Sequence, residues 1–192
     1  MTTSTSREIA SAAIRARLAQ VALDEVKRRG FDQVTLDDLA RAAGVSRTTF
    51  FRYLRSKEEA VMSGLSAHGE RVAERLASRP AAEDDWSALR HAMDYICEIH
   101  RDDPAASLAF TKLIYGNPSF GRARSQQHVG WRTALAAALR QRSPGRSPGE
   151  AIALTSAALG CLSAATEALV AADGALVYEQ QLDEAFGVLR AR

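Results

Sequence analysis

Apolar residues recur at intervals of three and four along the whole chain, and no segment alternates convincingly with a period of two. That pattern predicts an all-α protein of about nine helices. The first is expected over Arg7–Arg29, where Ile14, Leu18, Val21, Ala22 and Val26 make one stripe. Gly30 follows Lys27, Arg28 and Arg29, a stop signal with basic residues at the negative end of the helix dipole. A second helix opens at Thr35. In Thr35-Leu36-Asp37-Asp38 a hydroxyl can accept from an orphan N–H, and the acids suit the positive end. Leu36, Leu39, Ala40 and Ala43 form its apolar face, and Gly44 stops it. Ser46 can cap a very short third helix, and Ser56-Lys57-Glu58-Glu59 is a capping box for a fourth.

Five more helices follow. One runs from Trp86, capped by Asp84 or Asp85, to about Arg101, and the next from Asp103-Pro104 to about Gly116. Asn117-Pro118 opens a long helix to about Arg142, because proline suits the first helical position. Ser147-Pro148-Gly149-Glu150 starts another that reaches about Ala172, and the last covers about Ala175–Ala191. Thirty-seven alanines in 192 residues agree with this reading, since alanine is the best helix former and is depleted in strands.

The net charge of +2 excludes a wholly polybasic chain, but its distribution is uneven. Residues 1–63 carry a net +3 and the remainder a net −1. From Gly44 to Lys57 stand Arg47, Arg52, Arg55 and Lys57 with no acid among them. Positive charge concentrated in this way attracts phosphate and makes binding salt-dependent. The same stretch has the pattern of two helices crossing closely at a tight turn. Ala40 is small at the crossing, Gly44 tolerates a left-handed backbone, and Leu39, Ala43, Val45 and Phe50 can plug the wedge. The expected element is a helix-turn-helix whose second helix enters a major groove.

Two cysteines, Cys97 and Cys161, stand 64 residues apart with no CxxC pair, and two buried thiols are expected. Met1–Glu8 lacks a leader's apolar core, and Ala151–Ala172 is too rich in small polar residues for a bilayer span. The expectation is a cytoplasmic protein with no membrane partner. His68, His91, His100 and His128 lack metal-ligand spacing, and no nucleophile or phosphate-loop motif is present. An enzyme, a cofactor and a metal site are therefore not expected. A protein-interaction module without DNA binding is the other class compatible with the same helices.

The run from Thr35 to Glu59 resembles the N-terminal signature of the TetR/AcrR family of transcriptional regulators, over about residues 14–61. Leu39-Ala40, Ala43-Gly44-Val45-Ser46, Thr49-Phe50-Phe51 and Lys57-Glu58 carry the likeness. Thr48 stands where glycine is frequent, and Phe51 where tyrosine is usual. The run Arg47-Thr-Thr-Phe-Phe-Arg-Tyr53 is similar to an actinobacterial branch that includes mycofactocin-type regulators. The resemblance implies a DNA-binding domain over residues 1–57 and a ligand-binding and dimerisation domain over 58–192. It implies a homodimeric repressor that a small molecule releases from a palindromic operator in double-stranded DNA, and the spread of apolar residues suggests that this ligand is apolar or amphipathic. It further implies that Thr35, Ser46, Arg47, Thr48, Thr49, Phe51, Arg52, Tyr53 and Lys57 face DNA.

Dimerisation through the last two helices is implied as well, and the residues give a separate reason for it. No charge occurs between Glu150 and Glu167, and Ile152, Thr155, Leu159, Leu162, Thr166 and Leu169 make one stripe. A helix apolar around so much of its circumference must be buried on several faces. The expected interface joins that stripe to Leu182, Phe186 and Leu189 of the last helix. Tyr95, His100, Phe110, Tyr115, Trp131 and Glu167 are the candidate ligand-binding residues. Glu167 stands out, because an acid in an apolar helix needs water, a partner or a ligand group.

Overall fold

The computed structural model describes residues 6–190, and within them the chain is helical with turns and no strands. The apparent lack of a leader's core over Met1–Glu8 falls mostly outside these residues, as does Ala191, the expected end of the last helix. The helices are α1 (Ser6–Arg29), α2 (Leu36–Ala42), α3 (Arg47–Tyr53), α4 (Lys57–Gly64), α5 (Ser66–Ser78) and α6 (Asp85–Ala92). They continue with α7 (Asp94–Asp102), α8 (Pro104–Gly116), a 3₁₀ turn (Pro118–Phe120), α9 (Gly121–Arg142), α10 (Pro148–Ala171) and α11 (Tyr178–Arg190). The expected nine runs are recognisable. Three are interrupted, at Leu65, at Met93 and after Phe120.

The chain forms two compact units. The first holds the chain through Ala67 together with Ser119–Gln127. The second holds His68–Pro118 and the chain from His128 onward.

In the first unit, α1 packs chiefly along α4 and also meets α2 and α3. Its core contains Leu18, Ala19, Ala22, Val34, Leu39, Ala40, Phe50, Leu54 and Ala60. The apolar stripe of α1 enters this core only at Leu18. Residues 6–17 are exposed, Ile14 among them, so the stripe starts one turn later than its spacing suggests. Phe120 is fully buried in this unit, its ring 4.9 Å from that of Phe31.

The second unit is built around α10, which packs against α6, α8 and α11. By length and composition alone α10 could cross a membrane, yet Ala151, Thr155, Ala158, Leu159, Cys161, Leu162, Ala165, Thr166 and Leu169 lie in the unit's own core. Polar staples tie its ends. Trp86 Nε1 donates to the Phe186 carbonyl at 3.2 Å. Arg90 joins Asp94 and Asp183, each at 2.6 Å. The carboxylate of Asp85 accepts from Ser143 and Arg146 at 2.6 and 2.5 Å, fixing the turn before α10. Cys97 and Cys161 are free and buried, and burial pushes the Cys97 thiol up to about 11. At neutral pH neither is a ready nucleophile.

Candidate nucleic-acid interface

The reading head is assembled by its caps. Thr35 precedes α2 in a reciprocal box. The Asp38 N–H donates to Thr35 Oγ1 at 3.1 Å, and the Thr35 N–H and hydroxyl donate to Asp38 Oδ2 at 2.9 and 2.6 Å. Those hydrogen bonds, the hydroxyl's first, hold the Asp38 carboxyl down at about 2. At the far end of α2 the chain reverses through Gly44, whose φ of +70° lies in the left-handed region. The Val45 N–H donates to the Ala40 carbonyl at 3.0 Å and closes the turn. Ser46 then caps α3: the Thr49 N–H donates to Ser46 Oγ at 3.1 Å, and the Ser46 hydroxyl donates to Thr49 Oγ1 at 3.0 Å.

These constraints fix which way α3 faces. Phe50 points into the core with Leu39, Ala40 and Leu54, all buried. Arg47, Thr48 and Arg52 are exposed, while Thr49, Phe51 and Tyr53 are half-buried. Two guanidinium groups lie near aromatic rings. Arg47 is 5.5 Å from the Phe51 centroid and Arg52 is 5.0 Å from that of Tyr53.

Two features of the head depart from its linear charge pattern. Lys57 is half-buried, and its ammonium donates to the Phe31 carbonyl at 2.9 Å and lies 4.3 Å from the Phe31 ring centroid. It ties the link after α1 to the start of α4, which leaves other N–H donors for any outside contact. Arg47, in a stretch without acids, nonetheless has one beside it: Asp37 Oδ2 lies 3.2 Å from its Nη1. Glu59 also emerges as a node. It accepts from Arg15 Nη2 at 2.9 Å and from the Arg55 N–H at 3.0 Å. The capping box marks Glu59 in the sequence, but no spacing signals the Asp37–Arg47 pair.

In the second unit the six ligand candidates fall in different settings. The His100 ring stacks on Tyr178 at 4.0 Å, and its Nδ1 is 2.8 Å from Ser107 Oγ. Burial lowers His100 to about 4, so it is neutral at physiological pH. Tyr178 is buried and shares a hydrogen bond with Thr166 Oγ1 at 3.0 Å. The Tyr95 hydroxyl lies 2.9 Å from His68 Nδ1, and its ring centroid lies 5.2 Å from the Arg75 guanidinium carbon. Trp131 packs on the core, with a buried Nε1 that meets no acceptor among the described residues. Phe110 and Tyr115 are half-buried on α8. Glu167 is exposed, so of water, a partner or a ligand group it is water that reaches the acid within the single chain.

The expected dimer stripe needs correction. Thr155, Leu159, Leu162, Thr166, Leu169, Leu182 and Phe186 are buried within the chain's own unit. Only Ile152 and Leu189 of that set face outward, 47% and 52% exposed. The stripe with the largest side chains faces inward because the unit's own core takes it. The outward face of α10 is Ile152, Ala153, Ser156, Gly160, Ala164 and Glu167. Leu176, Val177 and Val188 are further exposed apolar residues before and on α11.

Comparison with known proteins agrees with this geometry. Residues 18–61 match the model of the tetR family of bacterial regulatory proteins, and residues 83–192 match the MftR C-terminal domain. MftR of Mycobacterium tuberculosis is 27% identical over 130 residues, covering 68% of this chain and 66% of that protein. The transcriptional regulator TcmR of Streptomyces glaucescens is 31% identical over 110 residues, covering 54% and 49%. The chain thus spans about half to two thirds of these relatives' lengths. In fold, it is similar to a TetR regulator from Rhodococcus sp. RHA1, with a TM-score of 0.67 and 16% identity over 95% of this chain and 97% of that one. It is similar too to Thermus thermophilus FadR, a TetR-family repressor solved with lauroyl-CoA, with a TM-score of 0.59 and 22% identity over 91% and 92%. A capped helix-turn-helix with its arginines outward, a helical second unit and both family matches lead to one assignment: the chain belongs to the tetR family of bacterial regulatory proteins and carries an MftR-type C-terminal domain.

Proposed function

We propose that the protein works as a homodimeric repressor that binds a palindromic operator and leaves it when a small amphipathic ligand occupies the second unit. The observation that carries this reading is the orientation of α3, with Phe50 buried and Arg47, Thr48 and Arg52 turned outward. In this reading Arg47, Thr48 and Arg52 reach base edges. Thr35, Ser46, Thr49, Tyr53 and Lys57 hold the backbone, and Phe51 supports Arg47 from behind. Two heads would dock in successive major grooves, with half-sites about 34–36 Å apart.

Dimerisation would use the outward faces of α10 and α11. Ser156, Gly160 and Ala164 are small enough for close helix approach, and Ile152, Val177, Val188 and Leu189 supply apolar area. An amphipathic ligand suits the apolar second unit with its polar His100–Tyr178–Thr166 chain. Lauroyl-CoA bound to the Thermus thermophilus neighbour is a reasonable first probe.

The test is fluorescence anisotropy of the full chain with duplexes from the DNA flanking its own gene, at several salt concentrations. Specific, salt-dependent binding to a palindrome is expected, weakened by a ligand that DNA weakens in return. A folded protein that selects no palindrome overturns the reading and favours a protein-interaction module.

A further inference from the structure

Asp37 and Arg47 stand ten residues apart, on α2 and on α3, yet their side chains meet at 3.2 Å. Both are exposed, at 50% and 63% of the side chain. The Arg47 guanidinium also lies 5.5 Å from the centroid of Phe51, one turn further along its own helix. An outward-facing arginine of the reading head is thus held by an acid from the neighbouring helix and by an aromatic ring from its own. Asp38, next to Asp37, is already engaged by Thr35, by Arg41 at 3.0 Å and by Arg29 at 3.8 Å. Asp37 carries the carboxylate left for Arg47.

An exposed pair of this kind contributes little to fold stability, so a better partner can displace it. The two candidate partners on DNA differ. A phosphate offers Arg47 another anion, and the exchange leaves the Asp37 carboxylate facing a row of phosphates. A guanine edge offers two acceptors, O6 and N7, that match the guanidinium fork and carry no net charge. Arg47 can turn one edge of its fork to such a base while Asp37 still compensates its charge. We infer that Asp37 is a specificity-determining residue, which withholds the Arg47 charge from phosphates and leaves it for a base edge. This rests on the reading that α3 binds DNA.

The test uses the full chain with two duplexes, one selected by the wild-type protein from a random pool and one scrambled. Asp37→Asn should tighten binding to the scrambled duplex and steepen its log–log salt slope by about 0.9, the effect of one more phosphate engaged. It should lower the ratio of specific to non-specific affinity. Asp37→Glu should restore the wild-type ratio, and in an Arg47→Ala background Asp37→Asn should leave the ratio unchanged. Equal tightening on both duplexes overturns the inference, since it reports only a lost negative charge. So does a fall in the ratio that persists without Arg47, or weaker binding to both duplexes with a lower melting temperature. A wild-type chain that selects nothing from the pool overturns the DNA reading itself, so the two failures are separable.

Discussion

Phe50 lies fully buried between the helices of the reading head, while Phe51, one residue later, is half-buried beside the Arg47 guanidinium. A hundred degrees of helix rotation gives neighbouring rings different tasks. Lys57, proposed as a backbone contact on DNA, has a task inside the head as well. Its ammonium is held by the Phe31 carbonyl and lies near the Phe31 ring. If that tether matters, Lys57→Met should reduce stability by about 1–2 kcal/mol in urea denaturation, because a charge-assisted hydrogen bond is lost. A lysine that only meets phosphate would leave the midpoint unchanged and flatten the salt slope alone. Both changes together would show that one side chain serves both tasks.

Among the elements, α1 and α4 lie against each other because α4 carries Gly64 at their contact. A methyl group there would stand 2.8 Å from the Ala19 carbonyl oxygen and 2.8 Å from Leu23 Cβ. Backbone cannot retreat as a side-chain tip can, so Gly64→Ala should destabilise the first unit by about 1–3 kcal/mol despite alanine's better helix propensity. Thermal unfolding would read this, and a raised melting temperature would show that the helices can separate freely. In the second unit, α7 contributes His100, half-buried and stacked on Tyr178, with a pKa lowered to about 4. The unfolded imidazole, at its ordinary value near 6.5, takes up a proton first. Stability from keeping it neutral is therefore complete above about pH 6.5 and is lost as pH falls toward 4, by up to about 3 kcal/mol. His100→Gln should flatten the stability profile across that window, and an unchanged profile would assign the acid sensitivity elsewhere.

The helices and the head were legible in the sequence because their signals are local. Thr35, Gly44, Ser46 and Ser147 act on backbone within a few residues, and each occupies its expected cap or turn. What was not legible depends on contacts distant along the chain. Asp37 reaches Arg47 only once the turn has folded. Phe120 belongs with the first unit although it lies far along the sequence from α1–α4. Glu167 looked isolated in an apolar run, but periodicity cannot tell which side of a helix is wet.

At the scale of the whole molecule, α10 serves the unit's core and, in the proposed dimer, a second contact, and neighbouring residues separate the two. Leu159 is 4% exposed and belongs to the unit's core, whereas Gly160 faces outward among Ser156 and Ala164. Leu159→Ala should remove buried side chain and leave a cavity, lowering stability by about 2–5 kcal/mol. Gly160→Arg should leave the protomer folded but place a bulky charge where the two copies are proposed to meet. Sedimentation should then show a folded monomer, with circular dichroism unchanged. Operator affinity should fall steeply, since one head alone loses the second half-site and the effective concentration that linkage provides. If Gly160→Arg sediments as a dimer and binds its operator like wild type, the outward face of α10 is not the interface. If Leu159→Ala instead yields a folded monomer, the inward stripe would have to serve association as well as the core.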